Sequence, residues 1–300
     1  MAEQAQELLC EPIKCVALRH DKPGTAAHPL IIVVDGLDEC EDFTGSYGEQ
    51  LFTVIIDHLR QLGTPVKLFF TSRPETDLQG MFDYVFREAS NDYLVVHQLH
   101  EADVHVQQDI RTHLAGALRH IRERSAQLSL AWPSPECLDD LAGISKNLFV
   151  HAATVVRWIG MRGCSPEAQL DELFSWIGQP VPVDEISPYK ELDRLYSTIL
   201  EKAGGERAET KNSTRSRQMR RILDCIIHGC TPLHLDKLAE DTGMPRHICM
   251  AILGSLASVL LLPNNMNNRQ DTVRVFHRSF SDYMTDPRRC SDERFFIQSR

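Results

Sequence analysis

The chain has 300 residues, 42% of them hydrophobic and 25% charged, with a net charge of −10 and a pI near 5.7. That balance describes a globular chain and disfavours general affinity for nucleic acid or an anionic membrane surface. Its nine cysteines form no CxxC pair, no basic-then-apolar leader opens the chain, and no apolar run approaches the roughly 20 residues of a membrane helix, which together point to a reduced, cytoplasmic protein.

Residues 1–18 predict a short helix with Leu8, Leu9, Ile13 and Val16 inward, followed by a loop containing Pro23 and Gly24. Leu30 to Val34 is continuously aliphatic, which predicts a strand buried on both faces. Residues 48–63 have helical spacing through Leu51, Val54, Ile55 and Leu59. "VKLFFTSR" (66–73) predicts a second buried strand and "DYLVVHQL" (92–99) a third. Strand, helix, strand, connection, strand is the rhythm of a parallel α/β sheet. After His100 the pattern turns helical. Residues 101–124 predict one long amphipathic helix, 134–160 two helices broken near 143–147, and "QLDELF" and "PYKELDRLYSTILEKA" further helices. The polar stretch 204–218 reads as a flexible connection. Beyond it, "RRILDCIIHG", "LHLDKLAEDTG" and "PRHICMAILGSLASVL" predict three helices, and "LLLPNNMNNRQDTVRVFH" two short strands around an Asn-rich turn, the outline of a winged helix.

The first strand ends in a crowd of acids: Asp35, Asp38, Glu39, Glu41 and Asp42. Open parallel sheets bind ligands at the carboxyl ends of their strands. A buried strand that ends in aspartate is the Walker B arrangement, in which a rigid carboxylate organises Mg²⁺ through water. Asp35 takes that role, Gly36 permits a sharp turn, Leu37 tucks back into the core, and Asp38 or Glu39 is placed to polarise an attacking water. The second strand ends with Thr71, Ser72 and Arg73 at the same edge, where an arginine can feel a terminal phosphate. A plain ion pair of Arg73 with Asp35 or Glu39 is the bland alternative.

"PLIIVVDGLDEC", "VKLFFTSRPE", "DVHVQQDIRTHL", "NLFVHAATVVRWI", "LDRLYSTIL" and "VRVFHRSFSDYM", in this order and at these spacings, resemble the fungal-type NACHT proteins of the STAND class of P-loop signalling ATPases. The resemblance runs over nearly the whole chain. It implies an α/β P-loop NTPase-like nucleotide-binding domain (1–100), an all-α helical lid (101–186), and a linker with a winged-helix domain (187–300). It implies ATP or ADP with Mg²⁺ as cofactor: Asp35 resembles the Mg-organising acid, Asp38 and Glu39 the NACHT acidic pair, and Arg73 the sensor arginine. His277 in "RVFHRSF" resembles the winged-helix histidine that reaches the ADP phosphates. Self-association, or association with intact NACHT relatives, is the partnership it implies, with no nucleic acid and no membrane.

One part of the pattern is missing. A P-loop needs G-x-x-x-x-G-K-[ST], and the 300 residues contain no Gly-Lys dipeptide. The expectation is a signalling module that lacks the Walker A region, is truncated, and is deficient in ATP binding and hydrolysis. An ATP-independent interaction module or a non-functional truncated product stands as the alternative. Without the phosphate strand, "FFTSR" would carry an open, apolar edge.

Weaker signals take bland readings. Cys225, His228, Cys230 and His234 crowd ten residues but match no zinc spacing. The candidate recognition helix 245–259 offers only Arg246 and His247 to a groove. "RSRQMRR" reads as exposed charge, His151 as a helix-packing residue, and Trp132 and Trp158 as boundary and core residues.

Overall fold

The computed structural model describes residues 7, 11–13, 15, 30–37, 66–73, 104–177, 189–205, 214–229, 233–263 and 272–298. They are mostly helical, with one small two-stranded parallel sheet, and the chain divides into two compact units, Met1–Gln98 and Leu99–Arg300. Residues 11–13 and 15 are helical, within the first predicted helix. The predicted helix 48–63 and strand 92–99 lie outside the described residues.

In the first unit, β1 (Leu30–Val34) and β2 (Val66–Phe70) pair in parallel, with Leu30 opposite Val66 and Val34 opposite Phe70. Both strands fall on the runs predicted for them. Their burial departs from expectation. Ile31 and Val33 are each 63% exposed and Phe69 58%, and the register places these three on one face of the pair. An unbroken aliphatic run marks a strand, but covering both of its faces takes a layer on each side.

The second unit is built on helices. α1 (Val104–Arg124) buries Ile110, Leu114 and Leu118, one residue every four, against α2 (Pro135–Ile144) and α3 (Phe149–Ile159). Ser134 caps α2, its hydroxyl accepting from the Cys137 N–H at 3.2 Å, with Pro135 in the first turn. The predicted break between α2 and α3 falls at residues 145–148, where Lys146 (φ 47°) and Asn147 (φ 62°) are left-handed. α4 (Pro166–Ile177) packs on α3, as does α5 (Lys190–Gly204), which buries Leu192, Leu195, Tyr196, Ile199 and Leu200.

α6 (Thr214–His228) begins inside the stretch predicted as a flexible connection, and Gly204 at that stretch's other end closes α5. Ser216, Met219, Ile222 and Leu223 of α6 are buried, so the helical period was already present beneath the polar composition. α7 (Leu235–Thr242) and α8 (Arg246–Ser255) follow, and Gly243 at φ 62° reverses the chain between them. β3 (Leu260–Leu261) and β4 (Arg274–Val275) pair antiparallel, and Val273 also bridges Leu233, ahead of α7. α9 (Arg278–Thr285) then packs on α5 and β4.

All these helices contribute to one contiguous core centred on Trp158, Tyr196, Phe280, Tyr283 and Phe295. Burying each aliphatic or aromatic side chain of that core contributes about 1.5–3 kcal/mol. Two polar ties cross it. Arg157 of α3 donates to the main-chain carbonyls of Ala257 (2.5 Å), Ser258 (3.0 Å) and Leu260 (2.5 Å), and its guanidinium lies 4.4 Å from the centroid of the Phe276 ring. Asp193 of α5 pairs with Arg289 beyond α9, at 2.6 Å from the guanidinium Nη2.

Candidate functional site

The end of the parallel pair is tied together by Thr71. Its N–H donates to the Val34 carbonyl (3.0 Å), and its own carbonyl accepts from the Leu37 N–H (2.9 Å). Its hydroxyl accepts from the Gly36 N–H at 2.9 Å and donates to the Asp35 carboxylate. Gly36 stands at φ 67°, a conformation that glycine adopts without the clash a Cβ would bring, and Leu37 turns inward to 6% exposure. The tight turn and the returning leucine both follow the sequence reading. The bond from Thr71 to Asp35 was not foreseen, although Thr71 had been placed at that edge.

Asp35 is thus an exposed carboxylate with its orientation set by a neighbouring strand, and Arg73 leaves the same edge two residues after Thr71. The sheet brings these two predicted residues to one end. Asp38 and Glu39 lie outside the described residues. Among the described residues no group of three or more His, Cys, Asp or Glu could hold a metal ion. The donors present are one oriented carboxylate and one hydroxyl, hard oxygens of the kind that suit hydrated Mg²⁺. The sequence supplies no Gly-Lys phosphate cradle beside them. Asp35, oriented by Thr71, is the described residue that would hold a hydrated Mg²⁺.

His277 belongs to the second unit. It caps α9: its Nδ1 accepts from the Ser279 N–H at 3.1 Å and lies 2.8 Å from the Ser279 hydroxyl. That hydroxyl is 2.9 Å from the phenol of Tyr196, which is buried at 1% exposure and stacks edge-on to Phe280. Burial pushes the Tyr196 phenol up to about 12. Neither Ser279 nor Tyr196 stood out in the sequence; a tyrosine on an otherwise apolar helix face was the available signal.

The remaining flagged residues serve the fold. His151 is buried, 3.1 Å from the Ser145 hydroxyl, and desolvation lowers it to about 4. Trp158 is buried at 1% exposure. His228 pairs with Asp224 at 2.8 Å, and His234 caps α7 by accepting from the Lys237 N–H; Cys230 lies outside the described residues. Arg246 pairs with Asp236 at 3.1 Å. Of "RSRQMRR", Arg217, Arg220 and Arg221 are exposed on α6 as read from the sequence, whereas Arg215 is half-buried and donates from Nε to the Ala203 carbonyl at 2.6 Å. Among the described residues no helix is long and apolar enough to cross a membrane.

Residues 3–73 match the family described as Nephrocystin 3, N-terminal, a family linked to NACHT-containing proteins. The matched segment takes in β1, β2, Asp35, Asp38, Glu39 and Arg73, and stops well short of His277. No curated protein matches the chain, and no solved structure matches it.

Proposed function

We propose that this chain is a NACHT-type module of the STAND class that signals by domain rearrangement and self-association, with ATP hydrolysis absent or vestigial. The observation that carries the proposal is the shared strand end. Asp35 and Arg73 leave the same edge of a parallel pair, and Thr71 orients the carboxylate. The match of residues 3–73 to a family linked to NACHT-containing proteins supports it. So does the order α6, Leu233, α7, α8, β3, β4, in which Val273 and β4 pair with both other extended segments, the arrangement a winged helix would have.

On this reading Asp35 is the Mg-organising acid, Asp38 and Glu39 are a vestigial acidic pair, Arg73 is the phosphate sensor and His277 the winged-helix histidine. ADP or ATP with Mg²⁺ is the ancestral ligand, the cytoplasm is the compartment, and a second copy or an intact relative is the partner. Mg²⁺, when bound, would supply charge neutralisation at a phosphate. Asp35 itself would only orient the metal's waters.

A differential thermal-shift measurement with millimolar Mg-ATP and Mg-ADP tests the nucleotide half. The expected result is no shift, because no Gly-Lys phosphate loop is present to hold the nucleotide; a ligand at 100 times its Kd would add about 2.7 kcal/mol and be readily seen. A rise of several degrees that Asp35→Asn abolishes would overturn the degenerate-site reading. Sedimentation over a concentration series tests the other half. Concentration-dependent association is expected, and a strict monomer at every concentration would overturn it. The alternative of an ATP-independent interaction module is favoured by the exposed face of Ile31, Val33 and Phe69. Under it, Ile31→Thr with Val33→Thr abolishes association whether or not nucleotide is present.

A further inference from the structure

We infer that the exposed arginine face of α6 is a docking surface for the acid-rich first unit of a second copy of this chain, joined head to tail. This deepens the self-association proposed above and rests on it for the partner. The face itself is a property of the second unit.

Arg217, Arg220 and Arg221 stand at i, i+3 and i+4 on α6, so one side of the helix carries all three, and all three are exposed. Arg220 is steadied through Nη1, which donates to the Glu293 main-chain carbonyl at 3.2 Å. Arg217 and Arg221 have no hydrogen-bond or ion-pair partner among the described residues. Asp224, the next acid along the helix, is held by His228 at 2.8 Å. Glu293, whose carbonyl Arg220 holds, is one exposed acid at the edge of the face and leaves it net positive. The first turn of α6 contains no acid. Like charges at i, i+4 and arginine near a helix start both work against the helix, so an anionic surface laid over this face relieves a repulsion that folding leaves in place.

The sequence carries such a surface itself. Residues 1–98 hold 16 Asp and Glu against 7 Lys and Arg, and residues 99–300 hold 26 against 25. Almost all of the net charge of −10 therefore lies in the first unit, while the near-neutral second unit places four arginines within residues 215–221. A nucleic acid or an anionic membrane meets the whole chain and is repelled by its first unit; a second copy can present its acidic unit to α6 alone. Complementary charge of this kind fixes partner and register more than it adds raw affinity. The contact must also be head to tail. A symmetric pairing would lay α6 against α6, arginine on arginine, whereas a heterologous one joins unlike surfaces and leaves one of each free for the next copy. Association on this face can thus extend beyond a dimer.

Sedimentation velocity of the full 300-residue chain over a concentration series tests this. Arg217→Glu with Arg221→Glu should weaken self-association at least about ten-fold. Its melting temperature should stay within about 2 °C of wild type, because neither side chain has a partner to lose. Arg119→Glu with Arg124→Glu, on the exposed surface of α1, makes the same change in net charge and should leave association unchanged. The labelled α6 variant keeps its acidic unit, so it should still join wild-type chains and stop their growth. Association of the α6 variant equal to that of wild type overturns the inference. So does a variant that joins neither itself nor wild type, since the contact would then be symmetric. Flotation of wild type, but not of the α6 variant, with phosphatidylserine vesicles would give the face to lipid and overturn it too. A wild type that is monomeric at every concentration refutes the self-association reading as well, whereas a wild type that associates with or without the arginines refutes the α6 surface alone.

Discussion

Arg157→Ala should be among the costliest single changes in the second unit. The guanidinium is the only group on α3 whose hydrogen bonds reach the turn between α8 and β3 among the described residues, and it spends three of its donors on carbonyls there. Hydrogen bonds from a charged donor contribute about 1.5–3 kcal/mol each in favourable cases, but the carbonyls regain some water once the side chain is gone. Taking about 1 kcal/mol net for each of the two 2.5 Å bonds, less for the third, and about 0.5–1 kcal/mol for the Phe276 stack gives a loss near 3 kcal/mol. In a unit of this size that corresponds to a fall in melting temperature of about 6–12 °C. Arg157→Lys should recover less than half of the loss, because an ammonium is a single point of donation and cannot span three carbonyls as a planar fork does. Urea denaturation of wild type, both Arg157 variants and an exposed-arginine control, Arg162→Ala, measures it; the control should stay within about 0.5 kcal/mol of wild type. If Arg157→Ala also stays within that margin, or Arg157→Lys equals wild type, the fork does not hold the turn.

Three further outcomes are expected. His151, lowered to about 4 by burial, is neutral in the folded chain while the unfolded chain takes up a proton below about 6.5, so stability should fall by up to about 3 kcal/mol as the pH drops between those values. Denaturation at pH 7 and pH 5 checks this, and His151→Gln should lose less over that interval even if it is weaker at pH 7; Glu191 and Arg194 are the charged groups that share a small cavity with the ring. Asp193→Ala should cost about 2–4 kcal/mol by leaving Arg289 half-buried without its carboxylate, and Asp193→Ala with Arg289→Ala should cost less than the sum of the two single changes in a double-mutant cycle. Thr71→Val should speed hydrogen exchange at the Gly36 amide about five-fold while the Leu37 amide, which donates to the Thr71 main-chain carbonyl, stays slow.

Legibility in the sequence tracked how local each cause was. β1, β2 and the long helices were readable because period and punctuation are written within a few residues of each other: Ile110, Leu114 and Leu118 mark one helix face, and Lys146–Asn147 a break. The turn after Asp35 was readable for the same reason, since Gly36 and Leu37 permit few alternatives. The start of α6 was missed because Thr, Arg, Ser and Gln hid the spacing of Ser216, Met219 and Leu223. The exposed face of Ile31 and Val33 was missed because a strand's own residues do not say what stands beside it. Arg157, Tyr196 and Ser279 were not distinguishable from others of their kind. Each acts on a partner far along the chain or through a hydroxyl whose direction only the fold decides. The hints were a lone arginine in "FVHAATVVRWI" and a tyrosine on the apolar face of α5.

The Arg157 fork also bears on how the protein is made. Leu260, its most distant acceptor, follows it by 103 positions, so on a ribosome adding about 5–20 residues per second the arginine emerges roughly 5–20 s before the last carbonyl that will hold it. For that interval Trp158 and its neighbours lack the half of their core that comes from later helices. The nascent chain spends that time with the apolar face of α3 only partly covered, an aggregation-prone surface that closes when the later helices arrive.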